Sequence, residues 1–329
     1  MSFGEGPGAI GWLLGEENQG LACMFTMMNH ARLNVGLEGV AIAERAYQQA
    51  RSYALDRVQG KTLGRDGEVN ATIIGHPDVR RMLMDMKART EAQRALAYFT
   101  AGQMDRAHGH VDADQRRQAQ QLVDLLIPVV KGWCTEGAQL VTATGVQVHG
   151  GMGFIEETGA AQHQRDARIT TIYEGTTGIQ ANDLIGRKLS RDQGAVMYHL
   201  IGQMSADASA LARQADAVLA SLGKSLQRGV DELNKATASL LVSEPREAAA
   251  CAVPYLWLAG TVTGGWLMCR AADAATVQLG AGGDDASFLQ AKRVTALHFA
   301  RHMLQQAPAM CEAVAHGAES SLGLHQDQF

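Results

Sequence analysis

Gln147-Val-His-Gly-Gly-Met-Gly-Phe154, followed by Arg165-Asp-Ala-Arg-Ile-Thr-Thr-Ile-Tyr-Glu-Gly-Thr-Thr-Gly-Ile-Gln180, is the stretch whose reading decides the fold. It combines a glycine-rich loop with a lone carboxylate, Glu174, in a Gly/Thr turn, and helix-forming sequence lies on both sides. Gly150 and Gly151 allow another group to approach the backbone closely, and Gly175 does the same beside the carboxylate. Thr176 and Thr177 then open a helix whose first N–H groups have no intrahelical partners and can receive an anionic oxygen. His149 reads as a histidine packed at a helix end.

Working outward, composition favours helices. Aromatics make up only 5% of the 329 residues and there are six prolines, while alanine, leucine, methionine and glutamine are plentiful. Charged residues are 19% and the net charge is −5, which suggests neither nucleic-acid binding nor electrostatic docking on a membrane. The five cysteines are scattered, with no CxxC pair or Cys/His cluster. They read as buried or indifferent thiols in a reducing compartment, so no metal site or disulfide framework is expected. The N-terminus lacks a basic segment followed by an apolar one, and a cytoplasmic location is expected. Residues 248–269 carry no charge over nearly the length of a spanning helix. Pro254, Gly260, Gly264 and Gly265 interrupt that run, which therefore reads as a buried helix or a subunit interface.

Helical periodicity supplies the architecture. A first helix is expected over residues 23–58, with Met24, Met27, Met28, Ala31, Val35, Val40, Ala43 and Ala46 on one stripe. A loop bearing Gly60, Gly64, Gly67 and Gly75 follows, and His76-Pro77 opens a second helix that ends near Gly109. Asp112 or Asp114 can cap a third, whose stripe runs from Leu122 to Trp133 and continues towards Gly145. A fourth starts at Thr176 or Thr177 and ends by Arg191. These four form an antiparallel, up-down bundle, and the fold class is mostly α. From residue 193 the chain reads as a second helical module. One helix is marked by Leu200 through Leu222, a second by Leu226 through Leu240, and a third starts at Glu244-Pro245. A fourth lies beyond Gly280 and carries Phe288, Val294, Leu297 and Leu304.

The quoted stretch, the helices around it and a Gly-Glu-x-x-Gly-Leu-like segment near residues 16–21 together resemble the acyl-CoA dehydrogenases. The resemblance is to their C-terminal helical domain, and residues 193–329 resemble the extension of the long subfamily. It implies three parts: a remnant of the middle β-domain over residues 1–22, the helical bundle over 23–192 and the additional helical domain over 193–329. An apolar, strand-like run near Trp12–Leu14 would belong to the first part, so the chain reads as the back half of a longer enzyme. Desaturating a thioester next to its carbonyl requires a base for the α-proton, and burial raises the proton affinity of a carboxyl enough for that work. The resemblance places this base at Glu174.

The resemblance also implies FAD, held by Arg57, Gln147, Gly150, Gly151, Thr176 and Gln180, with the diphosphate set serving the neighbouring subunit's flavin in a homodimer or higher oligomer. The family's Arg-x-x-Phe-Gly reads Arg57-Val-Gln-Gly60 here, without its aromatic. Arg32 and Gly175 would line the acyl-CoA site. Electrons would pass to an electron-transfer flavoprotein or a similar acceptor. Two alternatives stay open: an acyl-CoA oxidase, which shares base and flavin but reduces oxygen, and a non-catalytic helical interaction module derived from the family.

Overall fold

Asp112 sets the start of the most deeply buried helix. Its carboxylate accepts hydrogen bonds from the backbone N–H groups of Asp114 at 2.7 Å and Gln115 at 3.3 Å, donors that a helix cannot satisfy internally. From this cap α3 (Ala113–His149) runs for 37 residues, and every residue from 125 to 135 is buried. The structure is a computed structural model describing residues 3–63, 70–282 and 285–329.

Helices α1 (Gly20–Asp56) and α2 (Pro77–Gly109) pack along α3. Pro77 sits in the first turn of α2, where its missing N–H breaks no hydrogen bond. On α1, Val35, Val40, Ala43 and Ala46 are buried as their spacing predicts, but Met24 and Met27 are 40% and 57% exposed. The first turns of α1 therefore stand clear of the bundle. Two of the expected loop glycines, Gly64 and Gly67, lie outside the described residues.

The connection after α3 holds more helix than the sequence suggests. A single turn, α4 (Gly151–Phe154), precedes α5 (Ala160–Thr170), which packs on α3 and α1. The expected fourth helix is composite. Its α-helical part, α6 (Thr177–Asp183), has seven residues; it relaxes into a π-helix over Leu184–Leu189 and a 3₁₀ turn over Ser190–Asp192. The strand-like run near Trp12 forms no strand. Ile10, Trp12 and Leu14 are 84–88% exposed, because a lone strand has no neighbour to satisfy its backbone.

The remaining helices are α7 (Ala195–Ala212), α8 (Ala217–Val242), α9 (Pro245–Ala250), α10 (Ala252–Gly280), α11 (Ala286–His302) and α12 (Ala307–Leu322). The boundary expected between Leu222 and Leu226 falls instead before Ala217. Asp216 caps α8 there, accepting from the N–H groups of Val218 and Leu219 at 3.0 Å each. On α11 the buried hydrophobic side chains are Leu289, Ala296, Phe299 and Ala300, whereas Phe288 and Val294 are exposed. The uncharged run forms most of α10 and is buried, as expected, and no helix among the described residues is long and apolar enough to cross a membrane.

The architecture is thus mostly α, a helical bundle followed by further helices. One hydrophobic cluster nevertheless runs through both parts, from Leu33 and Trp133 to Tyr255 and Phe299. Trp133 of α3 is the link. Its indole lies over Gly260 and Gly264 of α10, where an added Cβ would come within 2.3 Å and 2.6 Å of the ring. Gly260→Ala should therefore destabilise the chain by roughly 1–3 kcal/mol, because overpacking outweighs alanine's helix-propensity gain of ~1 kcal/mol. Chemical denaturation followed by circular dichroism measures this, and an unchanged or raised stability would show that Trp133 is not seated against α10.

Candidate active site

Glu174 and Gly175 adopt φ values of +56° and +92°, both left-handed. A non-glycine residue there costs about 1 kcal/mol or more, so the surroundings must hold it. Gln180 does so from α6: its Nε2 donates to the carbonyls of Glu174 at 3.2 Å and Gly175 at 3.3 Å. The space is filled tightly enough that a Cβ at Gly175 would lie 2.7 Å from that nitrogen. Thr176 caps α6, its Oγ1 accepting from Ile179 N–H at 3.3 Å. Thr177 ties the turn to α3 by donating to Glu136 Oε1 at 2.6 Å. Glu174 itself is half-buried, and no described residue donates a hydrogen bond to its carboxylate. Gln180 is buried rather than lying on the helix surface, and its Oε1 has no hydrogen-bond partner.

Charged side chains are also buried on α1, α3 and α6. Arg32 of α1 is buried and bonds Asp183 of α6 at 3.0 Å, so it faces inward to an anion of the same chain. Its Nε has no hydrogen-bond partner. Lys131 of α3 is wholly buried, and its Nζ likewise has none. Burial pushes its ammonium down to about 8; Glu136 opposes that shift, Arg32 reinforces it and Glu174 opposes it. Tyr173 donates to Glu38, and burial together with that carboxylate holds the phenol up at about 12.

A second group of expected residues assembles at the far end of α3. Arg57 follows the last turn of α1, Gln147 lies on the last turn of α3, and Gly150 ends α3 at φ +61°. With Tyr53, Lys61 and His76 they line a cavity of about 390 Å³. A Cβ added at Gly150 or Gly151 would meet nothing within 4 Å, so the backbone there is open to a ligand. His149 is buried: it stacks on Tyr53 with ring centroids 4.4 Å apart, and its Nδ1 donates to Gly145 O at 2.7 Å. This is the packed histidine that the sequence suggests.

The structure therefore brings Arg57, Gln147 and Gly150 together, with Gly151 adjoining, and groups Glu174, Gly175, Thr176 and Gln180 around one turn. The two groups are not contiguous. Glu136, which anchors the turn, precedes Gly150 by fourteen residues, about 21 Å along the helix axis. Sequence reading missed Lys131, Glu136 and Asp183; a lysine inside the apolar stripe from Leu122 to Trp133 was the visible signal for the first. Elsewhere, Asp85, His298 and His302 bring three ligand atoms within 4.8 Å of one another. Arg81 already bonds Asp85 at 2.8 Å and His298 does so at 2.7 Å, so this group reads as a bridge between α2 and α11.

Comparison with known proteins adds the following. Residues 18–189 match the family model described as acyl-CoA dehydrogenase, C-terminal domain, and residues 200–325 match one described as acetyl-CoA dehydrogenase C-terminal like. The chain is 47% identical to a 3-methylmercaptopropionyl-CoA dehydrogenase of Ruegeria pomeroyi, over 95% of this chain and 53% of that protein. It is 37% identical to a broad-specificity linear acyl-CoA dehydrogenase of Mycobacterium tuberculosis, over 92% of this chain and 52% of the relative. A crystal structure of a Bacillus anthracis acyl-CoA dehydrogenase complexed with FAD shares the fold, with a TM-score of 0.69 at 20% identity, covering 96% of this chain and 52% of that one. The chain thus spans about half the length of the curated relatives it matches.

The Arg32–Asp183 pair generates a measurable expectation. Arg32→Met leaves the Asp183 carboxylate buried with only Arg187, 3.8 Å away, to compensate. That should cost roughly 3–5 kcal/mol of unfolding free energy. The double variant Arg32→Met/Asp183→Leu should recover most of the loss. Additive losses in a denaturant-unfolding cycle would show that the two side chains are not paired.

Proposed function

The chain belongs to the acyl-CoA dehydrogenase family, and we propose that it supplies the base and part of the flavin site of an FAD-dependent enzyme that introduces an α,β double bond into an acyl-CoA thioester. The observation that carries this reading is Glu174, fixed in a left-handed turn with no hydrogen bond to its carboxylate among the described residues. A base must be held in place yet keep a lone pair free, and this arrangement meets both needs. In the proposed step the α-C–H bond breaks, its proton passes to Glu174, and its electron pair forms the double bond as hydride leaves the β-carbon. FAD, when bound, supplies the acceptor for that hydride. Gly175 and Arg32 are read as lining the acyl-CoA site, Gly175 through its backbone beside the base and Arg32 braced by Asp183.

The second cluster suits a diphosphate. Arg57 and Lys61 supply positive charge, Gln147 offers an exposed amide, and Gly150 and Gly151 leave the backbone uncovered. Its distance from Glu174 supports a reading in which this end of α3 serves the flavin of a second copy, while Thr176 and Gln180 face the chain's own. The proposal therefore includes a homodimer or higher oligomer, an electron-transfer flavoprotein or similar acceptor, and a cytoplasmic setting. It keeps the division at residues 22 and 192, with 193–329 as a packing module. Because the chain spans about half of its relatives' length, it is assigned a share of the site rather than the whole.

Two variants test this in the assembled, FAD-loaded enzyme. Glu174→Gln should keep the bound-flavin absorbance and cut turnover by roughly 10²–10⁴-fold, since an amide cannot accept the α-proton. Near-normal turnover defeats the assignment. Gly151→Val projects a branched side chain into space that no protein atom occupies, so it should fold normally yet weaken FAD binding by about 10-fold or more. Unchanged FAD affinity by fluorescence titration would remove this end of α3 from the cofactor site.

A further inference from the structure

We propose that Glu136 is a positioning residue for the Glu174 base: its carboxylate, on the buried α3, fixes the foot of the turn in place through the Thr177 hydroxyl. The proposal rests on the reading of Glu174 given above and names a residue outside the expected site.

Thr177 makes two hydrogen bonds that do different things. Its backbone N–H donates to Thr171 O at 3.1 Å, which shuts residues 172–176 into a loop carrying Glu174. Its Oγ1 donates to Glu136 Oε1 at 2.6 Å, which ties that loop to another helix. A hydroxyl has one proton to give, and Thr171 O, the other acceptor near it, stands at 3.5 Å, so the carboxylate takes it. Thr177 is buried and Glu136 half-buried, so water competes weakly for this bond. The neighbouring bond from Tyr173 to Glu38 of α1 is exposed, and water competes for it freely.

Shape and location are held separately. Gln180 fixes the shape of the turn, but it belongs to α6 and moves with it. α6 has seven residues, too few to keep its own place. Two bonds fasten it to longer helices: Thr177 at its first residue to Glu136 of α3, and Asp183 at its last to Arg32 of α1 at 3.0 Å. The first lies three residues from Glu174 and the second nine, so Glu136 governs where the base stands. Its carboxylate follows directly on the stretch 125–135, which is buried throughout and is the least yielding part of the fold.

The wholly buried Lys131, five residues earlier on α3, fits this arrangement. Burial pushes its ammonium down to about 8, and Glu136 is the foremost charge opposing that shift. The same attraction favours a charged Glu136, and a charged acceptor binds a hydroxyl more strongly than a neutral one. The chemistry gives the tie a purpose, because proton abstraction depends steeply on where the base stands, and a misplacement of about 1 Å can cost roughly 100-fold.

Hydrogen-exchange mass spectrometry on the full chain without flavin reads the fastening by itself. Thr177→Val keeps the branched shape and the backbone bond to Thr171 but removes the hydroxyl. Exchange across residues 171–177 should quicken by about 10-fold, and Thr177→Ser, which keeps the hydroxyl, should recover most of the difference. Glu136→Leu should reproduce the Thr177→Val pattern, and the Thr177 variants stand even where Glu136→Leu fails to fold. In the FAD-loaded enzyme, Thr177→Val should lower kcat by roughly 10- to 100-fold with KM little changed, and Thr177→Ser should again recover most of the loss. A purely structural bond would lower stability and leave kcat of the folded enzyme in place. Unmoved exchange in Thr177→Val, unmoved kcat, or a Ser variant that behaves like the Val variant overturns the proposal. The exchange arm needs no turnover, so its failure defeats Glu136 while leaving the base assignment intact. Near-normal turnover of Glu174→Gln defeats the base and the proposal with it.

Discussion

The burial of α3 on every side is the constraint from which the rest of the chain follows. Eleven consecutive residues, 125–135, are shut away from solvent, and a helix apolar all round needs cover in all directions. α1 and α2 cover two sides, α6 covers a third, and α10 closes the remainder against Trp133. The C-terminal helices are thus more than an appendage, because without α10 the indole of Trp133 would face water. Polar residues trapped in this stretch must find local partners. Thr135 does so by donating back to Lys131 O at 2.7 Å, whereas the Lys131 ammonium is an exception with no hydrogen-bond partner among the described residues.

The same helix fixes the geometry of the turn. Glu174 occupies a backbone conformation that L-residues avoid, and three separate devices hold it there: the Gln180 amide, the Thr176 cap and the Thr177–Glu136 hydrogen bond. Two of these belong to α6 itself and the third to α3. The turn therefore inherits the rigidity of the core, while its carboxylate stays out of the hydrogen-bond network. The Arg32–Asp183 ion pair follows another logic. A buried Arg–Asp pair adds little net stability over an apolar replacement, yet it tolerates few alternative alignments of α1 and α6.

How much of this was legible in the sequence depended on how local each signal was. Pro77 and Asp112 announced their helix ends because a fixed φ and a capping carboxylate act within one turn. The glycines around residue 150 and the Glu174 turn are also local signals, but the roles read into them came from the family resemblance and not from the local pattern. The break before Ala217 was not legible: Leu211 and Val218 are seven residues apart, which preserves helical spacing across the gap, and Asp216 reads as an ordinary polar residue until its cap is seen. α5 escaped notice because Ala160, Ala167 and Thr170 are the residues it buries, too small and too few to mark a stripe. Asp183, 151 positions from Arg32, could not be paired with it by any local rule. The exposed run at Ile10–Leu14 shows the converse, since apolar sequence alone does not make a strand without a neighbour.

The π-helix at Leu184–Leu189 has a consequence for how the two parts of the chain can change over time. A π turn holds more residues than an α turn and is a one-residue insertion accommodated inside a helix. Leu184, Ile185 and Leu189 are all buried across it, so the wide turn satisfies the bundle on one side and the following helices on the other. Deleting one residue there would narrow the wide turn towards an ordinary α turn, whereas losing one from the regular helix on either side would turn everything downstream by about 100° about the helix axis. The spacing between Glu174 and α7 therefore has one residue of slack at this joint and none in the α-helices that flank it.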